Sequence, residues 1–373
     1  MRFGTYYFLQ APPGRSEADV IQGEFTQILL SEELGYDSVW LTEHHFTEYG
    51  MSVSPLALAA AIAAKTERIN IALAAAILPF HDPIRLAEEI AFVDILSRGR
   101  LRVGIGRGNR PIEFAGYRVS QEENRERFGE ILDIMVQAWT QDRVSYQGRF
   151  FTLDGIPVRP KPWQKPHPPL MLVCVSPETI AFAARRAWPM VNSILYGPLS
   201  QLVEKRDRYV TAMRAAGYPE SEIQTALHSW SVSRHIYVAP TDREAIAEAQ
   251  DAELWYQQAL ARFLVPENID TAPPGLQPQF RAIASALKTI TWEKLVEETV
   301  LFGSPERIVD KVREMEAIGV GELLCWMNFG SLPQDRVQRS LRLFAEKVMP
   351  RFRQSRFSGS AAESPCRTTR SAT

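Results

Sequence analysis

The stretch WLTEHHFTEYG, residues 40–50, sets His44 and His45 between Glu43 and Glu48 directly after an apolar run. An imidazole is the side chain best matched to proton transfer near neutral pH, and a carboxylate beside it fixes tautomer and orientation. The pair reads either as acid–base groups steered by those carboxylates or as a structural pair anchored on Glu43 or Glu48, because buried imidazoles need partners. Metal binding has less support: neighbours on an extended segment point to opposite sides, and no third ligand stands at suitable spacing.

A second constellation is built from GIGRG (104–108) and VSPETIAFAARRA (175–187). Arg107 supplies a cation after one apolar run, and Ser176, with Pro177, Glu178 and Thr179 behind it, has the form of a capped helix start after another. An arginine beside a helix N-terminus suits a phosphate monoester: a forked cation, oriented N–H groups and hydroxyl donors. A surface arginine and an ordinary cap are the plainer account. The run Ala74, Ala75, Ala76 leaves room for a flat ligand, or serves close helix packing.

These groups must be positioned by a scaffold. RFGTYYFL, YDSVWL, INIALAAAIL, LRVGIG, PLMLVCV, PMVNSIL, HSWSVSRHIYVA and ELLCWMNFG are strand-like, and helical stretches separate nearly all of them. Eight β-then-α repeats predict a parallel (β/α)₈ TIM barrel, an α/β fold whose reactive groups collect at the strand C-termini. An open doubly wound sheet lacks its glycine fingerprint after the first strand. GSPERIVDKVREMEAIG predicts a helix with Ser304 as N-cap and Gly319 at its end. The barrel spans residues 1–350. Two insertions interrupt it: 143–168 reads as a hairpin with a proline-rich return, and 263–296 as a lid or binding loop. From Arg351 the Ser, Arg and Gly bias reads as a disordered tail.

Among 373 residues, 45% are hydrophobic and the formal charge is −2, which offers no basic field for nucleic acid. Cys174, Cys325 and Cys366 are odd in number and far apart, as in a reducing compartment. With no signal-peptide pattern and no long uncharged apolar run, the expectation is a cytoplasmic protein without membrane contact.

TEHHFTEYG, AAILPFHDPIRLAEEIAFVDILSRGRLRVGIGRG and FGSPERIVDKVREMEAIGVGELLCWMNFG together resemble the bacterial luciferase-like flavin monooxygenases, the luciferase α subunit in particular, over roughly residues 1–350. The resemblance implies a TIM barrel that binds reduced FMN from a separate flavin reductase. The reduced flavin reacts with O₂ to a C4a-peroxide, which oxygenates an organic substrate. It makes His44 the catalytic histidine that assists proton traffic, Glu43 and His45 its supports, and Glu113 an acidic residue near the flavin. Arg107, Ser176 and Thr179 match phosphate contacts, and Ala74 and Ala75 a non-prolyl cis peptide beneath the ring. Two departures stand out: Gly106 replaces a reactive cysteine, and Val175 a glutamate beside the phosphate. The resemblance also makes 263–296 a mobile lid and places the helix SPLALAAAIAAKTER in a homodimer interface. An F420-dependent oxidoreductase of the same superfamily and a flavin-binding subunit without chemistry are the alternatives. Phe8, Phe46, Tyr49, Phe80, Tyr196 and Trp326 either line an apolar substrate pocket or fill the core.

Overall fold

The computed structural model describes residues 1–174, 176–193, 198–266, 268–272, 275, 277–330 and 332–353. Its strands are β1 (Arg2–Tyr7), β2 (Ser38–Leu41), β3 (Asn70–Ile77), β4 (Leu101–Gly106), β5 (Arg143–Gln147), β6 (Thr152–Pro157), β7 (Leu170–Val173), β8 (Met190–Ser193), β9 (Ser231–Val238), β10 (Leu301–Gly303) and β11 (Glu322–Trp326). Eight of them run parallel around a barrel in the order β1, β2, β3, β4, β7, β8, β9, β11. The circle closes where Val191 of β8 pairs with Ser231 of β9, and where Arg2 of β1 pairs with Glu322 of β11. These are the eight runs legible as strands in the sequence.

β10 is not among them. It is three residues long and pairs only with the end of β9, Leu301 opposite Ile236, too short for alternation to show. β5 and β6 form an antiparallel hairpin outside the barrel, within residues 143–168. Within 263–296, the helix Asp242–Leu264 ends and a separate helix, Gln277–Lys288, comes after it. At the C-terminus a helical turn continues through Pro350–Arg353, and buried Phe352 packs edge-on against Phe3, ring centres 5.7 Å apart. The tail expected from Arg351 is thus ordered to Arg353, and 354–373 lie outside the described residues.

The helix starts follow local chemistry. Ser304 accepts from the Arg307 N–H at the head of the helix Pro305–Ala317, and Asp82 from the Arg85 N–H at the head of Pro83–Leu96; proline at the first helical position has no N–H to leave unpaired.

One buried carboxylate ties the strand N-termini together. Glu322 of β11 sits 2.9 Å from Arg102 Nη1 of β4 and 3.5 Å from Arg2 Nη2 of β1, and accepts from the Ser38 hydroxyl and the Trp40 indole of β2. Burial opposes its charge, but Arg102, Arg2 and the two hydrogen bonds prevail and hold its carboxyl below the usual range. A carboxyl lowered in the fold contributes stability that is present above its unfolded pKa of about 4.3 and lost as pH falls. Glu322→Ala leaves two arginines without their buried partner and should cost about 3–5 kcal/mol in urea unfolding. The wild type should lose stability on acidification below about pH 4 more steeply than Glu322→Gln; parallel pH curves would show that the network does not stabilise the barrel.

Candidate functional site

At the opposite end, the chain leaves β2 through Glu43, His44 and His45. Glu43 is 1% exposed. Its Oε1 takes His45 Nε2 at 3.2 Å and His81 Nε2 at 2.8 Å, while Oε2 accepts the Ile77 N–H at 2.9 Å. Burial works against the Glu43 charge, but the hydrogen bonds from His45 and His81 outweigh it and hold the carboxyl below its ordinary range. Burial likewise pushes His81 down, and its hydrogen bond to the Glu43 charge more than reverses this. Because a carboxylate only accepts, His45 in its neutral form donates from Nε2, and its Nδ1 accepts from the Tyr117 hydroxyl at 3.0 Å.

His44 has a different carboxylate. Its Nδ1 lies 3.0 Å from Glu113 Oε1, and the same oxygen accepts the His45 backbone N–H at 3.1 Å. Nδ1 therefore carries the proton, and Nε2 of the neutral ring is the basic nitrogen. Glu113 is buried in the first turn of the helix Pro111–Tyr117. Phe8 stacks on the His44 ring at 5.1 Å, with Tyr49 and Phe263 meeting it edge-on, and Trp326 backs Phe8 at 3.8 Å. Glu48 pairs instead with Arg262 at 2.7 Å, so neither histidine is anchored there.

The strands beside these groups carry small residues. The Ala74–Ala75 peptide is cis, pairing with β4 shifts register between Leu73 and Ala76, and the Tyr6 hydroxyl donates to Ala74 O at 3.2 Å. A Cβ on Gly104 would fall 2.2 Å from the Leu73 carbonyl oxygen, so only glycine permits the shifted strands to approach. One on Gly106 would press to 3.2 Å from Ala75 Cβ. Ala75 and Ile77 thus pack closely over the bare backbone of Gly106. Past β4, half-buried Arg107 feels Arg125 and Glu178; burial first, and then Arg125, lower its pKa. Ser176 caps the helix Pro177–Ala184 in a capping box with Thr179. Arg125 is held 2.9 Å from Glu178. Val175 lies outside the described residues, as does Tyr196.

Several neighbours are not singled out by the sequence, His81, Tyr117, Arg110, Arg125 and Phe263, and four of the five carry no local mark. His81 alone has a local signal, standing just before the Asp82 cap. Among the aromatic residues, Phe8 and Tyr49 pack on His44, Trp326 stacks on Phe8, Phe46 is exposed, and Phe80 stacks on Tyr117.

The Glu43–His81 pair has a defined pH window. His81, raised in the fold, contributes stability that is full below its unfolded pKa of about 6.5 and is lost as pH climbs through its folded value; Glu43, lowered, contributes above about 4.3. Thermal melts of the wild type should therefore fall more as pH rises above about 6.5 than those of His81→Gln. Parallel melts would remove the pair as a source of stability.

A profile of the family described as luciferase-like monooxygenase matches residues 1–322. The oxygenase component of a flavin-dependent trigonelline monooxygenase from Acinetobacter baylyi is 24% identical, over 95% of this chain and 97% of its own. An alkanal monooxygenase alpha chain from Photobacterium leiognathi is 25% identical, over 95% and 99%. The crystal structure of monooxygenase RslO1 from Streptomyces bottropensis superposes with a TM-score of 0.79 at 26% identity, over 94% of this chain and 100% of that one. With its barrel, its paired histidines and a family match across most of its length, the chain belongs to the luciferase-like monooxygenases.

Proposed function

We propose that this chain is the oxygenase component of a two-component system. It takes reduced FMN from a separate flavin reductase, uses O₂ as co-substrate and oxygenates an apolar or aromatic organic molecule. The observation that carries the reading is the His44–Glu113 pair, packed among Phe8, Tyr49 and Phe263. Reduced FMN supplies the electrons that activate O₂, so that one oxygen atom enters the substrate and the other leaves as water.

The protein's own part is positioning. Ala74, Ala75 and Gly106 offer the flat wall for the ring, and Arg107, Ser176 and Thr179 the cation and hydroxyl groups for the phosphate. Glu113 keeps the proton on His44 Nδ1, which leaves Nε2 to take up and return a proton at the reacting face. Phe8, Tyr49, Phe263 and Trp326 exclude water from it. Glu43 and His45 hold the turn that carries His44. The named relative that is an oxygenase component spans nearly the whole chain, which supports the two-component reading. No helix among the described residues is long and apolar enough to cross a membrane.

His44→Ala should leave reduced FMN binding within about twofold and lower substrate oxygenation by about 10²–10⁴; unchanged turnover overturns the role. Arg107→Ala should weaken reduced FMN about tenfold and reduced riboflavin hardly at all, because only FMN carries the phosphate. Binding of F420 in place of either flavin would move the chain to the deazaflavin oxidoreductases. Tight flavin binding with no oxygenation of any substrate, reductase present, would make it a flavin-binding subunit without chemistry.

A homodimer belongs to the same proposal. Ala57, Ala61 and Ala64 are exposed along one face of the helix Pro55–Lys65, and the helix packed beside it, Pro83–Leu96, leaves Phe92 56% and Leu96 45% exposed. The solution mass should be that of two chains, falling to one in Ala61→Glu/Phe92→Glu; a monomeric wild type refutes it.

A further inference from the structure

Arg110 is 8% exposed, and its Nε and Nη1 find no hydrogen-bond acceptor. A guanidinium presents five donors in a rigid plane and stays charged, so burying it with open donors is strongly unfavourable unless an anion arrives to fill them. The carboxylates around it are already engaged: Glu113 with His44, Glu48 with Arg262, and Glu253 with His235 and Gln257. What surrounds the charge is aromatic. The Arg110 guanidinium carbon lies 4.6 Å from the centre of the Phe263 ring, and its charge acts on the phenols of Tyr6, Tyr49 and Tyr256.

Local sequence explains how the residue reaches this place. Arg110 is the N-cap of the helix Pro111–Tyr117. Pro111 fixes the start of that helix, and Glu113, three residues on, turns to His44. A single turn thus delivers both the carboxylate that holds the imidazole and the cation. Tyr49 and Phe263, the rings that pack on His44, also border Arg110. They line a cavity of about 470 Å³ whose wall continues over Phe46, Pro111, Ile112, Ala259 and Val265. That cavity has the size and mostly apolar lining of a small-molecule site; the paired Glu48 and Arg262 also stand on its wall, and Arg110 lies next to the lining, against Phe263 and before Pro111.

We propose that Arg110 is the substrate anchor of this enzyme, and that the substrate is an organic acid: an apolar or aromatic body carrying a carboxylate, which the guanidinium grips through its free donors while the body lies against Tyr49 and Phe263. The proposal rests on the monooxygenase reading for the chemistry done on the bound acid. The anchor itself is a property of the protein without cofactor. In the proposed function the flavin phosphate has its own cation, Arg107, which feels Glu178 of the helix Pro177–Ala184. Arg110 lies with His44, so the grip sets the body of the acid beside the imidazole and fixes which carbon faces the reacting centre.

The test compares acids with their uncharged amides. Phenylacetate, 3-phenylpropanoate and octanoate, each against its primary amide, are titrated into the full-length protein with and without FMN, read by tryptophan fluorescence and calorimetry. The wild type should bind at least one acid about tenfold or more tightly than its amide, because a site built for a charged partner rejects the analogue that leaves its donors unpaired. Arg110→Met should erase that preference while amide affinity stays within about twofold, and Arg110→Lys should keep part of it, a point charge lacking the fork. Equal binding of acid and amide to the wild type, a preference that survives in Arg110→Met, or no acid binding at about 10 mM would each overturn the proposal. Loss of FMN affinity in Arg110→Met equal to the loss of acid affinity would do the same, assigning the cation to the flavin. Should the wild type bind acids selectively yet never bind FMN, the anchor stands and the monooxygenase reading falls.

Discussion

A carboxylate shut away from water needs donors to fill its lone pairs, and the mouth of this barrel is organised by two that gather them. Glu43 gathers the end of β2, the end of β3 through Ile77, and two imidazoles. Glu113 gathers His44 and the backbone beneath His45. Moving either carboxylate would release both the loop and the rings that the loop presents. The acid–base geometry is therefore a by-product of charge burial. His44 has its proton placed because Glu113 Oε1, which also takes the His45 N–H, accepts from Nδ1.

The two ends of the barrel solve the same problem for different purposes. Beneath, Glu322 is surrounded by arginines, a serine and an indole from three other strands, so its charge is neutralised within the fold and nothing is left to react. Above, the charges are matched less completely: Arg107 is half-buried beside another cation, and Arg110 is buried with open donors. In a (β/α)₈ barrel the strand C-termini open onto variable loops, so incomplete matching can be carried there without loosening the core. The shift of register between β3 and β4 reshapes the same end: Gly104 lets the Leu73 carbonyl in, and Ala75 packs closely over the bare backbone of Gly106.

Aromatic packing joins the two halves of the mouth. Trp326 from β11 stacks on Phe8 after β1, Phe8 on His44 after β2, and Phe263, from the helix after β9, closes against both His44 and Arg110. Rings in contact this way are stiff, and they lower the local dielectric, which strengthens each charged hydrogen bond they enclose.

The sequence by itself determined the repeat. Eight apolar runs separated by amphipathic helices leave few architectures that bury every strand on both faces, and a closed parallel barrel is one of them. It also determined the local ends: Ser304 and Ser176 cap their helices because a hydroxyl beside free N–H groups needs no distant partner. The Glu-His-His run marked a candidate site, and Arg107 with Ser176 a second candidate, since strand ends in such a fold face one mouth. Only the tertiary structure decided who pairs with whom. His81 reaches Glu43 across 38 positions, His44 reaches Glu113 across 69, and Arg110 meets Phe263 from the other side of the barrel. Those pairings depend on loop paths, such as the turn at Phe46 with φ of 65°. Long-range packing sets such paths: alternation along a strand gives the direction of a side chain, but its partner comes from whichever loop the barrel brings beside it.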